Sequence, residues 1–171
     1  PMTRRDFLTS VATAPLLAEG RTAMGFTPDS FSISRPQRTA LEFLEYSYAR
    51  GAGGVQANLA SFEPDYLKKV RQRAEELGMY LEVLTSLPKE DASLFENTVK
   101  AAKEAGALCL RTVCLGGRRY ETFSTLEQWK VFVADSRARL GRAVPIVDKH
   151  RIPLGLENHK DWTLEEFVAL L

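Results

Sequence analysis

The segment Pro153-Leu154-Gly155-Leu156-Glu157-Asn158-His159 carries the most suggestive chemistry in the chain. Read as a strand, its alternation places Leu154 and Leu156 on one face and Gly155 and Glu157 on the other. With the leucines packed beneath helices, Glu157 projects from the opposite face at the C-terminal end of the strand. A carboxylate held there needs a compensating charge, and a divalent cation is a good candidate. His159, two residues on, is placed to hydrogen-bond a substrate or to orient the loop, although a histidine at a strand end also serves as a packing or surface residue.

Further candidates stand at or near the ends of other apolar runs. Gln56 is a candidate substrate contact. Glu82, in mid-strand, suits either a substrate contact or a buried structural ion pair. Arg118, Arg119 and Tyr120 follow a fourth run, where a guanidinium can bind an anionic or polyol substrate, or simply form a solvated basic loop. Lys160, Asp161 and Trp162 shape the approach to a helix that Thr163 caps. Cys109 and Cys114 lie five apart in one apolar run, so their side chains point to opposite faces and a disulfide between them is not expected. They read as two small buried side chains.

These positions must be held by the elements around them. The chain repeats a short apolar run followed by an amphipathic stretch, which predicts an α/β fold with a parallel sheet. Five runs qualify: Met24 to Ile33, Gly54 to Leu59, Met79 to Leu84, Ala107 to Leu115 and Ile152 to Glu157. Capping boxes at Thr39/Glu42, Thr125/Gln128 and Thr163/Glu166 mark helix starts. The helix from Thr39 is expected to bury Leu41, Leu44 and Tyr48 and to stop at Gly51. The next, opened by Pro64, buries Leu67, Val70, Ala74 and Leu77 and ends at Gly78. A third carries Phe95, Val99 and Ala102 and ends at Gly106. A longer helix from Thr125 points Trp129, Phe132, Val133 and Leu140 inward, and Pro145 should kink or split it.

Each unit runs about 25 to 45 residues, a length that fits a doubly wound sheet or a TIM barrel. A dinucleotide-binding fold would want a glycine-rich loop after the first strand, where the chain has Ser34-Arg35-Pro36-Gln37 instead. Five strands followed by the start of a capped helix are expected to be a barrel truncated after about five of its eight β/α units, with a complete small five-stranded protein as the alternative.

Residues 1–23 read as an address. Thr3-Arg4-Arg5-Asp6-Phe7-Leu8, a weakly apolar stretch from Val11 to Ala18 and a small polar end near Ala23 resemble a twin-arginine export signal. That predicts export by the twin-arginine route to the periplasm, with residues 24–171 as the barrel and no membrane attachment once the signal is removed. The alternative is an ordinary amphipathic first helix. Composition is that of a soluble globular domain, 44% hydrophobic and 26% charged. Arg4, Arg5 and Arg21 against Asp6 and Glu19 account for the whole formal charge of +1, so no basic footprint for nucleic acid remains.

Gly155-Leu156-Glu157-Asn158-His159-Lys160-Asp161 resembles the fifth-strand motif of the xylose isomerase-like sugar phosphate isomerases/epimerases. Leu41-Glu42-Phe43-Leu44 leading to Gly51-Ala52-Gly53-Gly54-Val55-Gln56 resembles one branch of that family, as does Leu110-Arg111-Thr112-Val113 leading to Gly116-Gly117-Arg118-Arg119-Tyr120-Glu121. The resemblance implies a (β/α)8 TIM barrel, a small-molecule sugar or sugar phosphate as substrate, and a divalent metal ion (manganese, magnesium, cobalt or zinc). It also implies Glu157 as metal ligand and catalytic base, with homo-oligomers compatible. An aspartate, a histidine and a second glutamate from strands six to eight would complete the metal site, so the fragment itself is expected to be inactive. Removal of a proton between adjacent carbonyl and hydroxyl carbons, through a metal-stabilised enediolate, is the chemistry implied. A DNA-cutting branch of the same barrel would need histidines at the ends of strands two and three, where this chain has Gln56-Ala57-Asn58 and Thr85-Ser86. An exported sugar-binding protein without catalysis, and a sugar or polyol dehydratase-lyase, remain as alternatives.

Overall fold

A computed structural model describes residues 24–28 and 39–171. The twin-arginine segment and the Ser34–Gln37 loop lie outside the described residues. The elements run β1 (Gly25–Phe26), α1 (Ala40–Tyr48), β2 (Gly54–Ala57), α2 (Pro64–Glu76), β3 (Tyr80–Leu84) and α3 (Ser93–Glu104). They continue with β4 (Cys109–Val113), α4 (Arg119–Thr122), α5 (Leu126–His150), β5 (Leu154–Glu157) and α6 (Leu164–Leu170).

All three capping boxes form: Thr39, Thr125 and Thr163 each accept from the backbone N–H three residues on, and Glu42, Gln128 and Glu166 reach back. Gly51, Gly78 and Gly106 take positive φ where helices α1, α2 and α3 end, a conformation that costs glycine least.

The five strands are all parallel and lie in the order β1-β2-β3-β4-β5. A doubly wound sheet reverses its order at a switch point; this one never does. With right-handed crossovers, adding each strand at the same edge puts every helix on the same face. Val55, Leu81, Val83, Leu110 and Thr112 are buried on that face, and α1, α2, α3 and α5 pack side by side over it. The opposite face carries Gln56, Tyr80, Glu82, Cys109, Arg111 and Glu157, which strand alternation separates from the apolar set.

Two expectations are corrected. Helix α1 buries Ala40, Phe43, Leu44 and Ser47, whereas Tyr48 is exposed. Phe43 is the largest buried side chain of the segment and sets the stripe, and small Ala40 and Ser47 above and below let it approach the sheet. Helix α5 runs unbroken through Pro145. The proline is on the solvent side, the residue four before it is the equally exposed Gly141, whose carbonyl water can reach, and Ala143 and Val147 pack inward on either side. Among the described residues no helix is long and apolar enough to cross a membrane.

Candidate functional site

The inward row is built by register. Gln56 stands directly opposite Glu82, and Gln56 Nε2 donates to Glu82 Oε2 at 2.6 Å. On the next strand Cys109 lies opposite Glu82, and on β5 the partners are Gly155 for Arg111 and Glu157 for Val113. Arg111 Nη2 donates to Glu157 Oε2, one step along from its direct partner. A polar row thus crosses four strands, from Gln56 to Glu82, Arg111 and Glu157.

Charge on this face is compensated locally. Burial lowers the pKa of the Arg111 guanidinium, and the Glu82 carboxylate opposes that by favouring the cation. Burial and the same carboxylate push the Cys109 thiol up to about 11. Both cysteines are free, Cys109 on the inward face and Cys114 buried on the other side, as their spacing requires.

Arg111 also lines a cleft of about 930 Å³ at the C-terminal ends of β2, β3 and β4, together with Asn58, Thr85, Ser86, Lys89 and Arg139. Leu59, Phe62, Leu94 and Phe95 also line it, and loops at this end carry the chemistry of barrel enzymes.

Of the residues singled out in the sequence, the structure brings Gln56, Glu82 and Glu157 onto one face. Arg119 is held elsewhere. Its guanidinium lies 3.6 Å from the Trp129 ring centroid and donates to Glu166 Oε2 at 2.7 Å, in a separate cleft with Tyr120, Lys160 and Trp162. His159 is half-buried, and its Nδ1 is without a hydrogen-bond partner among the described residues. Sequence reading passed over Arg111 as a site residue. Its signal was the inward phase of β4, where Cys109 and Arg111 alternate with buried Leu110 and Thr112.

Among the described residues, no group of three or more His, Cys, Asp or Glu gathers to hold a metal ion. Glu157 offers one carboxylate, and a guanidinium already neutralises it. The described residues do not by themselves fit a divalent ion, which wants several oxygen ligands.

The sequential parallel order and the inward polar row define the class: an α/β protein made of consecutive β/α units of a (β/α)8 barrel. Among solved structures, the chain is similar to that of an L-ribulose 3-epimerase, with a TM-score of 0.61 and 15% identity over 86% of this chain and 55% of that one. It is also similar to a D-tagatose 3-epimerase-like protein, with a TM-score of 0.51 and 14% identity over 80% of this chain and 53% of that one. The chain therefore spans about half the length of these structures, and at this identity the likeness is one of fold. No family model and no curated protein matches the chain.

Proposed function

We propose that the chain is part of a sugar isomerase/epimerase, with a small sugar or sugar phosphate as substrate. The observation that carries the reading is the Glu157 carboxylate, set on the inward face at the C-terminal end of β5 and oriented by Arg111. The fold likeness to two structures named for 3-epimerases supports the choice of reaction class.

In this reading Arg111 engages Oε2 of Glu157, and Oε1 takes the proton from the carbon beside the substrate carbonyl. The C–H electron pair passes towards the carbonyl oxygen, giving an enediolate. For the isomer Glu157 returns the proton to the neighbouring carbon on the same face; for the epimer Glu157 gives its proton up to solvent and a second acid, outside the described residues, protonates the same carbon from the other face. The proposal includes a divalent ion only with ligands additional to Glu157, because one paired carboxylate does not hold one. Export by the twin-arginine route belongs to the same proposal and is tested by fusing residues 1–23 to a reporter.

The test of the function is product formation. Full-length protein is incubated with a panel of ketoses and ketose phosphates, with and without added divalent ions, and products are separated by chromatography. Formation of an epimer or the corresponding aldose supports the reading. No conversion of any of them, with protein that is folded, contradicts it.

A further inference from the structure

Arg111 shares its cleft at the C-terminal ends of β2, β3 and β4 with a second arginine, Arg139 of α5. The Arg139 side chain is only 18% exposed. Its Nη2 donates to the Leu87 carbonyl at 2.7 Å, in the loop after β3, and its Nε is buried without a hydrogen-bond partner among the described residues. A carbonyl fixes the position of a guanidinium but carries no charge to neutralise it. The Asp135 carboxylate stands 3.8 Å from Nη1 and is 56% exposed, so water screens much of that attraction. Holding a cation this far out of water is costly unless an anion meets it.

The rest of the lining has the same sign. Among the described residues, Lys89, Arg111 and Arg139 line the cleft against one carboxylate, that of Asp91. Asp91 is engaged with the start of α3, where its Oδ1 accepts from the Ser93 N–H at 2.8 Å and from the Ser93 hydroxyl at 2.6 Å. Arg111 is engaged with Glu157. Lys89 and Arg139 are therefore the cations left for a ligand, and they stand together, since both also line a smaller adjoining hollow. Leu59, Phe62 and Leu94 give the cleft apolar walls, and low-dielectric walls focus the field of the cations on whatever enters. At about 930 Å³ the cleft has room for a monosaccharide with a charged end group.

We propose that Arg139 and Lys89 form an anion subsite at the α5 end of this cleft, which takes the terminal phosphate or carboxylate of a sugar whose reacting carbons lie at Arg111 and Glu157. Both groups are oxyanions that a guanidinium and an ammonium bind through charge-assisted hydrogen bonds. The substrate narrows from sugars in general to anionic sugars. Where the reacting carbons lie rests on the proposed isomerase reading, whereas the subsite itself does not.

The experiment compares the full-length protein with Lys89→Ala and Arg139→Gln, and with Lys68→Ala, an exposed lysine on α2, as the control for general attraction. Inorganic phosphate and acetate, titrated separately and followed by amide chemical shifts, read the subsite alone. At least one of them is expected to shift the Ser86 and Lys89 amides, with binding roughly tenfold weaker in Lys89→Ala and weaker still in Arg139→Gln. No shift at these amides with either anion, or an equal loss in Lys68→Ala, overturns the proposal. Steady-state kinetics read the substrate. The kcat/KM for a ketose phosphate or a keto sugar acid is expected to exceed that for the neutral ketose roughly tenfold or more, and Lys89→Ala to close most of the gap. The larger advantage tells phosphate from carboxylate. Equal kcat/KM for the neutral and both anionic sugars overturns the subsite and leaves the isomerase reading standing. A parent that converts no sugar and still binds either anion through Lys89 sinks that reading and leaves the subsite standing. Where Arg139→Gln does not accumulate, having lost its bond to Leu87, Lys89→Ala carries both arms.

Discussion

The Arg111 guanidinium crosses from β4 to bind Glu157 on β5, although the residue directly opposite Arg111 is Gly155. Gly155 leaves its place on the inward face empty, and the long arginine side chain runs past it to the next inward position. Both partners are partly in solvent, with side-chain exposures of 27% and 40%, so the pair contributes modestly to stability. A double-mutant cycle of Arg111→Met and Glu157→Gln, measured by urea denaturation, is expected to give a coupling of about 1 kcal/mol or less but above zero. Strict additivity would mean that the pair does not form.

Glu82 and Cys109 face one another on adjacent strands, and the thiol is raised to about 11 by burial and by that carboxylate. At pH 8 its thiolate fraction is then roughly one thousandth, and alkylation should be slow. Glu82→Gln removes the charge and should speed alkylation of Cys109 by iodoacetamide several-fold, read by mass spectrometry of the Cys109 peptide. Equal rates in parent and variant would contradict the arrangement of the inward face.

Glu96 on α3 accepts from Lys149 and His150 at the end of α5, at 2.8 and 2.9 Å. These bonds, with Lys100 nearby, lower its carboxyl from 4.5 to about 2. A depressed carboxyl contributes stability that is present above the ordinary value and lost as pH falls through the folded one. Thermal stability should therefore decline between pH 4.5 and 2, and Glu96→Gln should flatten that part of the profile. A variant profile parallel to the parent's would show that the contact is not maintained in solution.

Gly54 lies beneath the Tyr80 ring, and a Cβ at position 54 would come within 2.4 Å of ring atoms. The side chain runs across two neighbouring strands, since a Cβ on Gly25, the register partner of Gly54, would meet the Tyr80 hydroxyl at the same distance. Gly54→Ala is expected to cost about 1–3 kcal/mol, the usual range for overpacking, measured by denaturation. A neutral substitution would mean that Tyr80 has room to turn.

Much of the fold was legible because it depends on local chemistry. Threonine caps, glycine stops and alternating leucines depend on near neighbours, and Thr125, Gly106 and Leu156 behave as their sequence context predicts. The stripe of α1 was misread because its inward face uses Ala40 and Ser47, small residues that hydrophobicity alone does not select. Pro145 does not split its helix, because the cost of a proline depends on whether the freed carbonyl meets water, a property of tertiary placement. The site was legible in part. Glu157, Glu82 and Gln56 follow from strand phase, whereas Arg111 requires the register of β4 against β5. Arg119 required knowing that Trp129 and Glu166, far away in sequence, converge on it.

In the proposed reaction Glu157 moves the substrate proton. It is tested most directly by deuterium exchange in D2O, comparing full-length protein with its Glu157→Gln variant on a ketose that the parent converts. The parent is expected to place deuterium on the carbon beside the carbonyl, and the variant to do so roughly a hundredfold or more slowly. Exchange at the parent's rate in the variant would assign the proton transfer to another residue.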